Sequence, residues 1–254
     1  MINKALGIID NAAKHGPAVD DMLEFVHWFM LALFVGWSIF FIYTLIRFRR
    51  SRNPKADYVG VTSHASTGVE VGVVIIEAIL LICFAFPLWG KRVNEFPSQK
   101  DATVVRIVAE QFAWNVRYPG ADGDFGKQDI SLVSGENPLG IDSTDEKGKD
   151  DIAMLNEMHV PVNKPVIVYL SSKDVIHSFC IRQMRMTQDA IPGMVIPVWF
   201  EPINTGKFEI ACAQLCGMGH YKMRGWMIVD TQADYDKWLK EQVPEASGGG
   251  GGYE

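Results

Sequence analysis

Two long apolar stretches, followed by a series of short ones, divide this chain. Met22 to Ile46 reads MLEFVHWFMLALFVGWSIFFIYTLI and Val69 to Leu88 reads VEVGVVIIEAILLICFAFPL. Each suits the ~20 apolar residues that cross a hydrocarbon layer of ~30 Å, so a transmembrane helical hairpin is expected over 22–92. The first run is no cleaved signal, because it starts too far in, is too long and follows Asp20 and Asp21. Arg47, Arg49, Arg50, Arg52 and Lys55 lie between the two runs, and basic residues flanking a span mark the cytoplasmic side. Both termini then lie outside, and residues 93–243 form an outer domain, periplasmic in a Gram-negative cell. Residues 1–21 are a polar segment without pattern.

Beyond Lys91 the period changes. Val104 to Phe112, His159 to Val162, Val166 to Leu170, Val175 to Ile181, Met194 to Phe200, Lys207 to Ala211 and Trp226 to Val229 are short runs rich in β-branched and aromatic residues, punctuated by Pro, Gly, Asn and Asp. They predict an all-β sandwich. Residues 118–155 interrupt it with Gly, Asp, Ser and Lys, a surface excursion longer than compact domains usually carry. Thr231 to Asp234 predicts a capping box opening a short helix to about Gln242, and residues 244–254 a flexible Gly-rich tail.

Composition adds exclusions. The 254 residues carry a net charge of −6, which argues against nucleic acid and suits a basic partner. The acidic stretch Asp142 to Asp151 is read as a solvated surface, with docking of a basic protein as its functional alternative. The cysteines are at 83, 180, 212 and 216; Cys83 falls in a membrane run, where it packs.

The chemistry gathers near the end of the chain. Cys212-Ala-Gln-Leu-Cys216-Gly-Met-Gly-His220-Tyr-Lys-Met223 brings two thiols, an imidazole and a thioether into one stretch. Soft sulfur with imidazole selects copper or zinc, and a methionine sulfur favours copper. His177, in a strand, completes the set; Phe179 shares its face and Cys180 points away. Gly217 and Gly219 let the loop fold its donors inward. A mononuclear copper site needs only one cysteine, so two thiolates can bridge two copper ions, each capped by one imidazole, with Met223 and a loop carbonyl as weak axial donors. A Cys212–Cys216 disulfide and a Cys2His2 zinc site are the rival readings; zinc leaves Met223 without a role. His159 and Met218 are substitute ligands of lower standing, and His27 and His64 lie by the membrane.

Two membrane helices, an outer sandwich and this loop resemble subunit II of the haem-copper cytochrome c oxidases. The resemblance rests on Asp174-Val-Ile-His177-Ser, followed 35 residues after the histidine by Cys-x-x-x-Cys-Gly-x-x-His-x-x-Met. It implies a cupredoxin-like barrel holding the dinuclear CuA centre, with Cys212 and Cys216 bridging, His177 and His220 terminal, Met223 axial and the Gln214 backbone oxygen opposite. Gln214 stands where the family has a glutamate that binds magnesium at the contact with subunit I, which puts that ion in doubt. Gln111-Phe112-Ala-Trp114 resembles the family's Gln-Trp-aromatic-Trp, with Phe112 in place of the tryptophan that first receives electrons and Trp114 matching the second tryptophan. This variation is similar to that of oxidases served by a membrane-bound cytochrome c, a fused haem c domain or alternative complex III; the chain has no Cys-x-x-Cys-His of its own.

The resemblance implies an aerobic oxidase in the bacterial plasma membrane. Cytochrome c reduces the copper here, the copper reduces haem in subunit I, and subunit I (haem a and CuB) reduces oxygen and pumps protons. Copper-free quinol oxidase subunits and nitric oxide reductases are the alternatives; retention of every ligand argues against the first. Glu70 matches a family glutamate at the mouth of a proton path into subunit I. Glu77, seven residues on, shares its helix face ~10 Å deeper.

Overall fold

The computed structural model describes residues 2–55, 58–60, 62–135 and 137–242; the tail expected over 244–254 lies outside them. The chain divides into two compact units, Met1–Ile8 with Ala18–Asn94, and Ile9–Pro17 with the chain from Glu95 onward.

The first unit is helical: α1 (Ile2–Ala5), α2 (Gly16–Arg47), α3 (Ala65–Leu80), a π-helical turn Leu81–Ala85 and α4 (Phe86–Asn94). The 32-residue α2 and the continuous 30 residues of Ala65–Asn94 are long and apolar enough to cross a membrane. Both outrun the apolar stretches that announced them. Hydropathy marks only the part matched to hydrocarbon, while Asp20, Asp21, Ser66 and Thr67 carry the helical hydrogen bonds on into polar surroundings. The π turn sits just before Pro87, which has no N–H to give the carbonyl four residues earlier; the Phe86 N–H reaches back to Leu81 O.

The second unit is a β-sandwich. Its strands are β1 (Thr103–Glu110), β2 (Ala113–Tyr118), β3 (Ile152–Leu155), β4 (Glu157–Pro161), β5 (Val166–Ser172), β6 (His177–Ile181), β7 (Met186–Ala190), β8 (Ile196–Phe200), β9 (Gly206–Cys212) and β10 (Arg224–Asp230), closed by α5 (Gln232–Glu241). Among the described residues they form two five-stranded sheets, ordered β3-β2-β1-β5-β8 and β4-β10-β9-β6-β7. β1 runs parallel to β5 and β10 parallel to β4; the other ladders are antiparallel. Alternation sets the core: Val105, Ile107 and Ala109 of β1, and Met227 and Val229 of β10, turn inward. They meet Trp114, Val168, Leu170, Phe179, Ile181, Phe200 and Ile210. α5 opens as its sequence predicts, with Thr231 Oγ1 accepting the Asp234 N–H at 3.2 Å.

Three expectations change. The segment 1–21 is not uniformly loose: Ala12 and Ala13 are buried, and the chain is clasped by Ala12 N–H to Gln183 O, Ile203 N–H to Ala12 O and Lys14 N–H to Glu201 O, each 2.9 Å. Alanines carry no periodic signal strong enough to announce such a clasp. Strands β2, β3 and β7 stood outside the expected set, because AWNVRY and MTQDA place polar residues where a strand pattern wants apolar ones.

The excursion given as 118–155 therefore loses its last four residues to β3 and its first, Tyr118, to β2. It is also anchored. Arg117 and Asp151 form a buried ion pair. Arg117 donates to Gly126 O at 2.8 Å, the Gly126 N–H donates to Asp151 at 2.9 Å, and Phe125 lies 4.2 Å beneath the Arg106 guanidinium.

Candidate metal centre

β6 and β9 bring the distant parts of the site together. Phe179 of β6 pairs with Cys212 at the end of β9, so the strand carrying His177 lies beside the strand from which the cysteine loop departs. The loop returns into β10, whose first residue follows Met223, and the Cys212 N–H bonds Met223 O at 3.3 Å. This closes the ring of donors.

The donor atoms converge. Cys212 Sγ and Cys216 Sγ are 3.8 Å apart, well beyond the ~2.05 Å of a disulfide, and both are free thiols. Two sulfurs at that separation can both lie ~2.3 Å from one ion at a near-tetrahedral angle. His177 Nδ1 is 4.0 Å from Cys212 Sγ, and His220 Nδ1 3.6 Å from Cys216 Sγ. Met223 Sδ is 3.7 Å from Cys216 Sγ, and Gln214 O is 3.2 Å from Cys212 Sγ. His177, Cys212 and Cys216 gather their ligand atoms within 4.8 Å of one another, a group able to hold a metal ion; His220 stands outside that group, next to Cys216.

The surroundings fit a cation. Burial, then the neighbouring Cys212, pushes the Cys216 thiol up to about 11: two thiolates side by side repel unless positive charge lies between them. His177 Nε2 faces Asp174 Oδ1 at 2.8 Å, which leaves Nδ1 as the lone-pair nitrogen turned toward the sulfurs. Burial pushes the Asp174 carboxyl up, but the hydrogen bond to His177 and the N–H groups of Val175 and Gln111 outweigh it and hold the group below the usual carboxylate range.

Phe112 and Gln111 support the loop from behind. Gln111 Nε2 donates to Cys216 O at 2.6 Å. A Cβ on Gly219 would meet Phe112 Cδ2 at 2.4 Å, and Gly217 holds φ at +134°, so both glycines are required by close approach and backbone form. Trp114 is fully buried, its ring edge-on to His177 at 6.3 Å and to Phe179 at 5.5 Å.

The remaining candidates go elsewhere. Met218 is 94 % exposed. His159 is held between Asp230 at 2.7 Å and Glu157 at 3.0 Å and stacks on Trp238. Cys180 Sγ accepts from Thr187 Oγ1 at 3.3 Å, and the Gln214 side chain is exposed. Glu70 and Glu77 are both exposed on α3. Asp174 and Gln111 were not singled out as functional from the sequence; the signal was there for Asp174, an acid three residues before a ligand histidine.

Comparison with known proteins gives the family. Residues 103–230 match the family "Cytochrome C oxidase subunit II, periplasmic domain". The chain is 37 % identical over 229 residues to the "Alternative cytochrome c oxidase subunit 2" of Bradyrhizobium diazoefficiens, covering 88 % of this chain and 80 % of that protein. It is 26 % identical over 244 residues to "Cytochrome c oxidase subunit 2" of Cereibacter sphaeroides, covering 89 % and 78 %. The crystal structure of the periplasmic domain of subunit II of cytochrome oxidase (CoxB) of Bradyrhizobium japonicum aligns at 28 % identity with a TM-score of 0.42, over 57 % of this chain and 94 % of that one. With two long apolar helices, an outer cupredoxin-like sandwich and a cysteine–histidine cluster at the end of β9, the chain belongs to the cytochrome c oxidase subunit II family, the part of an oxidase through which electrons come in.

Proposed function

We propose that this chain accepts electrons from a c-type cytochrome at a dinuclear copper centre and delivers them to the haem-bearing subunit I of an aerobic oxidase. The observation that carries the reading is the division of the donors. His177 closes with both sulfurs on one side and His220 stands by Cys216 outside that group, as two ions bridged by Cys212 and Cys216 require and a single tetrahedral zinc does not. A bound copper pair supplies one reversible electron, shared over both ions.

The residues do the rest. Cys212, Cys216, His177 and His220 would hold the copper, with Met223 Sδ and Gln214 O as weaker donors. Asp174 fixes the His177 ring, while Phe112 and Gln111 hold the loop so that its geometry barely changes on reduction. The buried Trp114 and Phe179 exclude water from the His177 side, which keeps the local dielectric low and fixes the potential. Retention of the full donor set speaks against a copper-free quinol oxidase subunit.

Partners and placement follow the same reading. The helices α2 and Ala65–Asn94 form a hairpin in the bacterial plasma membrane, with both termini and the copper domain outside. Phe112, part-buried against the loop where the family's pattern has a tryptophan, suits a donor that is membrane-bound or fused, including alternative complex III. Glu70 stands at the cytoplasmic mouth of a proton path into subunit I. A magnesium ion at Gln214 would have an amide oxygen where the family offers a carboxylate, and binds weakly if at all.

Metal analysis and electron paramagnetic resonance of the full chain in the assembled oxidase test the reading. The expected result is two copper ions per chain and one unpaired electron delocalised over two nuclei. One copper, zinc, or a Cys212–Cys216 disulfide in the active complex overturns it.

A further inference from the structure

Glu77 is the one carboxyl set among Ile75, Ile76, Ala78 and Ile79 of α3. It follows Val69, where the apolar run begins, by eight residues, which is ~12 Å along a helix into a hydrocarbon layer of ~30 Å. It is exposed on this chain, and its carboxylate makes no hydrogen bond or ion pair with another described residue. Lipid tails offer it nothing, and an ionisable side chain at that depth is expensive unless a protein surface or a water-filled cavity receives it.

Its neighbour on the face supplies the direction. Glu70 lies seven residues earlier, two helical turns less ~20°, so the two carboxyls project from one stripe. Ser66 and Thr67 continue that stripe toward the helix start, and Val73 and Val74 fill the space between the acids. A stripe holding both acids suits a protein cover, and the partner that an oxidase subunit II has at this depth is the haem-bearing subunit I. We infer that Glu77 faces that subunit and passes deeper into the membrane the protons that Glu70 admits.

In each passage the Glu77 carboxylate takes a proton from the Glu70 side and releases one to an acceptor on the partner. The carboxyl returns to its starting state and no electron moves. The ~10 Å of helix between the two acids exceeds a hydrogen bond, so water or a partner side chain relays between them. The inference rests on the reading of Glu70 as the start of the route.

The assembled oxidase with Glu77→Gln or Glu77→Asp tests it. Gln keeps the size and hydrogen bonding of the side chain but cannot carry a proton. The expected result is an unchanged copper signal and unchanged electron uptake from the donor. Oxygen turnover falls about tenfold or more in the Gln variant, with a larger solvent deuterium effect and substantial recovery in the Asp variant. Full turnover in the Gln variant reduces Glu77 to a packing contact and ends the inference. So does a Gln variant that fails to assemble, which would make assembly the residue's task. Glu70→Gln keeps the two claims apart: if turnover survives that change, the reading of Glu70 falls by itself, whereas slow Glu70→Gln with normal Glu77→Gln removes Glu77 alone.

Discussion

Asp174 Oδ1 lies 2.8 Å from His177 Nε2, three residues away in sequence, and thereby decides which nitrogen of the ring looks at Cys212. The same carboxylate accepts the backbone N–H of Gln111 at 2.7 Å. It thus links the strand that carries one candidate donor, His177, to the turn that backs the loop holding the other five.

Asp174→Ala removes that orientation while leaving every metal donor in place. Loss of a partner hydrogen-bonded to a ligand histidine typically weakens metal binding by about 10–100-fold. Competition for copper against a chelator measures it, and an affinity equal to the parent's would show that the ring is held by packing against Trp114 alone.

Gly219→Ala places a methyl group 2.4 Å from the Phe112 ring. One of the two must move, at about 1–3 kcal/mol for an overpacked site. The loop that carries Cys216 and His220 moves with it, so the copper absorption weakens and the thermal midpoint falls. Combining it with Phe112→Leu relieves the clash. A single variant with the parent's spectrum would show that the ring yields freely.

Removing the metal tests the coupling between centre and fold. A ligand that binds only the folded state stabilises by ~2.7 kcal/mol at 100 times its dissociation constant. The outer unit of the copper-loaded chain is therefore expected to melt several degrees higher than after chelation, by calorimetry. Coincident midpoints would mean that the folded chain binds the metal no better than the unfolded one.

Arg117→Met leaves Asp151 buried without its cation, a change that costs about 3–5 kcal/mol in comparable pairs. Burial already raises the Asp151 carboxyl above its usual 3.8, against the pull of Arg117, and the variant raises it further. A folded state that holds the proton more tightly than the unfolded one loses stability as pH rises from the unfolded value through the folded one. The variant's deficit relative to the parent is thus expected to widen from mildly acid to neutral pH in denaturant melts; a deficit independent of pH would place the cost in lost packing instead.

The convergence of Cys212, Cys216 and His177 was legible because the loop's donors are compressed into twelve residues and the strand position of His177 suggested its face. The two apolar runs were legible as helices, but hydropathy marks only the hydrocarbon-matched part, so α2 starts at Gly16 rather than Met22. What stayed hidden depends on long-range pairing. β2 reads as polar because Asn115 and Arg117 find partners only after folding, Glu110 and the Val108 carbonyl in one case and Asp151 and the Gly126 carbonyl in the other. The clasp of residues 9–17 is held by backbone groups, which no side-chain pattern reports.

The two parallel ladders carry a consequence for how the protein is made. β1 must wait for β5, with Thr103 aligned to Val166, and β4 must wait for β10, with Glu157 aligned to Trp226. Contacts so far apart along the chain close slowly, and the second is impossible until residues 226–230 have been synthesised. The candidate donors Cys212 to Met223 lie directly before β10, so their loop is expected to reach its final form only when that late ladder closes.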